Sequence, residues 1–269
     1  MEWRNIYRGM ITGATDVVPG ISGGTILVML GIYDQVVAAI NGLFSKEWKK
    51  QLGFLIPLGI GVLLAIFTLS RVLEWLLHHH AGPTYFFFLG LILGILPFLF
   101  RKAEARRTFR MRHYLLLAIG AVLIGSLIFV GEREVAVIEQ FTFGTYLLLF
   151  FSGFIGSSAM ILPGVSGSFM LLVLGVYPTV ISAISNLQLD IIAVTGAGIA
   201  IGLIAMSKLI NYCLTRFGTG TFAVIIGSVF GSVFVIFPGW PASGALLVVS
   251  MLTFATGLLT AYLLGKVEY

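Results

Sequence analysis

The sequence predicts an all-α polytopic membrane protein built as an inverted-topology repeat. Each half is expected to hold a Pro-Gly-broken, re-entrant helix hairpin followed by three transmembrane helices. Three observations predict it. Several runs of about 20 apolar residues carry no charge or one, the length that crosses hydrocarbon. The stretch "PGISGGT" from Pro19 reappears as "PGVSGSF" from Pro163. Basic and acidic loops alternate along the chain in step with the expected crossings. Composition agrees: 58% of the 269 residues are hydrophobic and 10% charged, too little polar surface for a soluble domain. Strict period-two alternation is absent, which argues against a membrane β-barrel.

The N-terminal stretch "MEWRNIYRGMITGATDVVPG" has charges but no clean apolar core or small-residue cleavage site, so no leader peptide is expected. The first hairpin covers Gly9 to Leu43. It aligns without a gap to Gly153 to Leu187, with 14 of 35 positions identical where roughly three would be expected for this composition. Spans follow at about 53–77, 84–100 and 113–131. The acid-containing "GEREVAVIEQ" from Gly131 joins the halves. In the second half Gly198 answers Gly61, Ser207-Lys208 answers Ser70-Arg71, and Gly227 and Gly231 answer Gly90 and Gly94. A last span lies at about 245–265. The expectation is one membrane domain, 1–269: repeat 1 about 1–131, linker 132–144, repeat 2 about 145–269.

A hairpin returns the chain to its starting side, and three further crossings then invert the second half. Arg4, Arg8, Lys46, Lys49 and Lys50 fall on one side with the loop Arg101–Arg112, which holds six of the 16 Lys and Arg residues. Arg216 and Lys266 join them. That side is expected to be cytoplasmic, with both termini. Glu132, Glu134, Glu139 and Asp190 fall opposite.

A Pro-Gly break inside a membrane helix is tolerated only against protein or a wet cavity. Matching breaks in inverted halves point to a transporter's central site. After Pro19 and Gly20 the chain can restart a helix at Ser22, Gly23, Gly24 and Thr25, with unpaired amides and two hydroxyls suited to a phosphate or carboxylate. Pro163, Gly164, Ser166, Gly167 and Ser168 supply the second such end. The Gly90/Gly94 and Gly227/Gly231 pairs read as close helix packing. Asp16 is either a coupling group for a proton or cation, or a solvated carboxylate near a basic loop; both readings stay open. Arg71 and Lys208 are candidate anion contacts, against a helix pair with Glu74 for Arg71 and snorkelling for Lys208. His78 to His80 cannot all face one site on a helix and read as an interfacial turn rather than a metal site. One cysteine, Cys213, excludes a disulfide framework. Neither metal nor cofactor is expected, and nucleic acid is a poor fit to basic residues without a soluble domain. Arg106 and Arg107 read as an anchor to anionic lipid with no substrate role.

The first motif, "TGATDVVPGISGGT", the second, "PGVSGS", and the chain length resemble the bacterial polyprenyl-phosphate transporter family. The resemblance covers essentially the whole chain. It implies a flippase that recycles undecaprenyl phosphate, the lipid carrier of peptidoglycan and cell-wall synthesis, from the outer to the cytoplasmic leaflet of the plasma membrane. The motif is also similar to the Pro-Gly-x-Ser-Arg-Ser segment of integral-membrane undecaprenyl-pyrophosphate phosphatases. Here Gly23 and Gly167 stand at the position of that Arg, and the paired-glutamate motif of those enzymes is absent. A coupled carrier of a small soluble anion is the other alternative. The coupling ion and self-association stay open.

Overall fold

The computed structural model describes residues 2–16, 22–43, 45–129, 137–138 and 140–268; for Asp16, Ser70, Arg71, Glu74, Ser185, Val267 and Glu268 it describes the backbone alone. All regular structure among them is helical. In the first half come α1 (Arg4–Asp16), α2 (Gly23–Met29), α3 (Tyr33–Gly42), α4 (Trp48–Lys102), the short α5 (Ala105–Thr108) and α6 (Met111–Gly125), which ends in a 3-10 turn. In the second come α7 (Phe143–Ile161), α8 (Gly167–Val173), α9 (Tyr177–Ser185), α10 (Leu189–Ile236) and α11 (Gly244–Glu268). Apart from α5, the element order of the first half recurs in the second.

Apolar length makes these helices membrane spans. Six are long and apolar enough to cross, or up to eight if each bent pair counts as one. Helices α4 and α10, at 55 and 48 residues, are about twice the length needed for one crossing. Each is interrupted by one non-helical residue, His80 in α4 and Phe217 in α10. Thr84 donates to the His80 carbonyl at 2.8 Å and Thr221 to that of Phe217 at 3.1 Å, so the two interruptions are built alike. The exposed large side chains, such as Phe67 at 78% and Phe143 at 82%, need a hydrocarbon solvent.

The sharp reversal of each hairpin lies later than the motif suggests. The α2–α3 and α8–α9 pairs each bend by 115°, at Gly31 (φ 68°) and Gly175 (φ 74°). Glycine is needed there because this left-handed backbone strains any residue with a Cβ. The second Pro-Gly break instead ends a complete helix, α7.

Glycine also sets the crossings. A Cβ on Gly9 or Gly61 would strike a backbone carbonyl of the partner helix, Leu58 or Ile6, and one on Gly198 that of Phe150. Gly90 of α4 lies as close to Phe254 of α11, and Gly227 of α10 to Leu117 of α6. The reading of Gly90/Gly94 and Gly227/Gly231 as packing residues therefore agrees with their positions. Contacts advance in the same direction along both members of each pair: Asn5 reaches the Phe54 carbonyl and Gly13 meets Val62; Thr253 reaches the Pro83 carbonyl and Gly265 meets Phe98. Four parallel pairs result. The first part of α4 takes α1 and its second part takes α11; α10 likewise takes α7, then α6.

Candidate functional site

The two broken segments meet. Helix α7 stops at Ile161 because Pro163 and Gly164 follow, and Gly164 adopts φ 92°. Its last carbonyls would be orphaned in an apolar interior. The first half satisfies them: the Tyr33 hydroxyl donates to the Ile161 carbonyl at 3.0 Å, and Ser22 Oγ to that of Leu162 at 3.4 Å. In the other direction the Gly164 N–H donates to Thr25 Oγ1 at 2.8 Å. Ser22 and Thr25 are each 2% exposed. Gly24 lies against the Met160 and Ile161 carbonyls, to which a Cβ would come as near as 3.0 and 3.3 Å.

Ser22 therefore donates to the second break and Thr25 accepts from it, so that both hydroxyls, expected from the sequence as donors for an anion, also tie the start of α2 to the end of α7. Ser166 and Ser168 bond each other at 2.9 Å and line a cavity of about 240 Å³ with Gly156, Ser157 and Gly167. Pro163 lines a separate and larger cavity, described below. Gly23 is buried beside Ser22. Pro19 and Gly20 lie outside the described residues, as do the acidic Glu132, Glu134 and Glu139; the side chains of Asp16, Arg71 and Glu74 do too. Lys208 is exposed on α10 and lines neither cavity. The three histidines sit at the α4 interruption, where His79 stacks on Trp75 at 5.1 Å.

The structure adds residues that the sequence did not single out. A cavity of about 720 Å³ runs from the start of α6 and the α10 interruption to Leu162 and Pro163. Arg110, Arg112, His113 and Arg216 line it. Separately, Asp34 at the start of α3 pairs with Lys102 at the end of α4 at 2.8 Å, tying the first hairpin to the basic loop. In the repeat, "RFGTGT" from Arg216 is the counterpart of "HHAGPT" from His79, so the arginine stands where the first half has a histidine.

With this geometry in place, comparison with known proteins decides the family. A sequence profile described as undecaprenyl phosphate translocase-like matches residues 12–252. The chain belongs to that family. The polyprenyl-phosphate transporter of Staphylococcus aureus (strain NCTC 8325 / PS 47) is 42% identical over 274 residues, covering 99% of this chain and 97% of that protein. The polyprenyl-phosphate transporter of Vibrio cholerae serotype O1 is 36% identical over 252 residues, covering 88% and 79%. No solved structure matches. As a translocase-like family member with six or more apolar helices, the chain is a multi-pass membrane protein.

Proposed function

We propose that this protein is the flippase that returns undecaprenyl phosphate across the bacterial plasma membrane, recycling the lipid carrier of cell-wall synthesis. The observation that carries the reading is the joining of the two Pro-Gly-x-Ser segments through Thr25–Gly164 and Ser22–Leu162. Paired breaks at one centre are how a transporter offers a polar site at mid-membrane. Family membership and the names of the two relatives support the substrate. The prenyl tail would stay in lipid while the head group passes between the halves.

The halves are read as inverted repeats of a single membrane domain. Consecutive spans alternate in direction, so α6 opposes the second part of α4, to which the short basic loop joins it. Helix α6 packs parallel to the second part of α10. These equivalent parts of α4 and α10 then run in opposite directions, the relation that inversion demands. The positive-inside rule puts the basic loop and both termini in the cytoplasm. Single cysteines at 104 and 137, in a Cys213→Ser background, are expected to react with an impermeant thiol reagent from opposite faces. Labelling from the same face would rule the architecture out.

The reading is of a carrier rather than a phosphatase. Phosphoryl transfer needs charge neutralisation and a placed nucleophile or base. At Gly167, where such an enzyme has its arginine, even a Cβ would come within 2.9 Å of the Gly156 carbonyl, so no longer side chain fits without a shift.

The deciding experiment is reconstitution. Liposomes holding the purified protein should move labelled undecaprenyl phosphate between leaflets, and the Ser22→Ala, Gly23→Leu double variant should abolish that movement. Absence of transport by the unaltered protein, with and without a proton gradient, would defeat the carrier reading. Phosphate release from undecaprenyl pyrophosphate would favour the enzyme instead.

A further inference from the structure

The cavity of about 720 Å³ beside Pro163 is lined by three arginines, and among the described residues no carboxylate lines it or pairs with them. Arg110 and Arg112 come from the start of α6, and Arg216 from the turn of α10 preceding its interruption at Phe217. Clustered cations beside an apolar wall, here Leu116, Ile210, Val224 and Ile225, repel one another and raise the local concentration of anions. His113, 6% exposed, lines the same cavity. Its Nδ1 accepts the Arg110 N–H at 2.9 Å, so its Nε2 carries a proton and is a donor. Arg binds phosphate oxygens through a planar fork of donors, and three arginines lining one cavity suit a dianion.

The equivalent pairing, α11 on α4, has the same backbone frame without the arginines. The packing of Gly257 on Phe87 and Leu91 repeats that of Gly120 on Val224 and Ser228. In that register the counterparts of Arg110, Arg112, His113 and Arg216 are Leu247, Val249, Ser250 and His79. Duplication alone therefore does not account for the arginines. They belong to one end of the molecule.

We propose that Arg110, Arg112 and Arg216, with His113, form a one-sided binding site for a phosphomonoester dianion, through which a head group reaches or leaves the second Pro-Gly break. The site rests on the carrier reading above and gives it a mouth on the basic face. The ligand chemistry is shared by a prenyl phosphate head group and free orthophosphate. The apolar wall favours the former, since it can receive the first isoprene unit.

The chain's single cysteine makes the test direct, because Cys213 lines the same cavity. In full-length protein held in nanodiscs, the rate of Cys213 labelling by a maleimide would be followed against farnesyl phosphate, orthophosphate or farnesol. Farnesyl phosphate is expected to slow labelling strongly, orthophosphate weakly, and farnesol not at all. Each of Arg110→Gln, Arg112→Gln and Arg216→Gln should weaken the farnesyl phosphate protection roughly tenfold, and Arg216→Lys should restore part of it. Equal protection by farnesol, or protection unchanged in all three glutamine variants, would overturn the site. Orthophosphate protecting as well as farnesyl phosphate would leave a free-anion site and remove the lipid. Transport of undecaprenyl phosphate at the normal rate by a variant lacking all three arginines would sink the site while leaving the carrier reading intact. Intact Cys213 protection in a protein that moves no lipid would do the reverse.

Discussion

Gly198→Leu is expected to unfold the second half in detergent, while Gly196→Leu, two residues away on α10, leaves stability unchanged. A Cβ at Gly198 would strike the Phe150 carbonyl of α7, whereas one at Gly196 meets nothing within 4 Å. The clash is with backbone, which no side-chain rotamer can relieve, so the loss should exceed the about 1–3 kcal/mol typical of overpacking a core. In lipid the penalty is not offset by hydrophobic association, since helix pairing there relies on close van der Waals contact. Gly61→Leu against Gly59→Leu on α4 repeats the test in the first half, because Gly59 also faces open space. Thermal unfolding followed by size-exclusion chromatography would measure both pairs. Equal stability within a pair would show that close approach does not hold the repeats together.

The second large effect is expected at Gly164. Gly164→Ala combines two penalties: its φ of 92° disfavours an L-residue by about 1–2 kcal/mol, and the new Cβ would lie 2.5 Å from the Ser228 carbonyl. Relief requires the break to move away from α10. That movement stretches the Gly164 N–H to Thr25 Oγ1 bond, which joins the halves. Transport of undecaprenyl phosphate should fall at least tenfold, with less loss of stability than for Gly198→Leu because the helix crossings stay intact. Thr25→Val is a milder probe of the same link; it leaves a buried N–H without an acceptor, at a cost of about 1–3 kcal/mol. If Gly164→Ala transports normally, the joined breaks are scaffolding and not part of the transport path.

How far the sequence reveals all this differs by element. The spans are legible because hydrocarbon imposes one length: the expected 84–100 falls inside the observed Trp75–Lys102, and the expected 113–131 overlaps Met111–Phe129. The repeat is legible because Pro163, Gly164, Ser166 and Gly167 copy the first motif at a fixed spacing. The hairpin's turning point was harder to see. Proline and glycine at 163 and 164 draw the eye, yet the 115° bend falls at Gly175, where a single glycine takes the left-handed backbone. Ser22 and Thr25 are legible as hydroxyls beside a break, but their bonds across the halves are not, since a hydroxyl has the same pattern whether it faces open space or bonds a carbonyl 140 residues away. Arg110 and Arg216 are far apart in sequence and sit in segments that read as cytoplasmic loop. Only folding brings them to one cavity.

The parallel pairings have a consequence for how the chain could have arisen and how it can be cut. The last span of each half does not pack on its own long helix: α6 lies on α10, and α11 on α4. Neither half of the gene therefore encodes a self-sufficient bundle. Expressed alone, residues 1–131 would carry one span without its seat and one seat without its span. Two copies could satisfy each other only by trading that helix. Severed in the linker and produced together, the two pieces should clasp each other like interlocked hooks, and neither should accumulate without its mate.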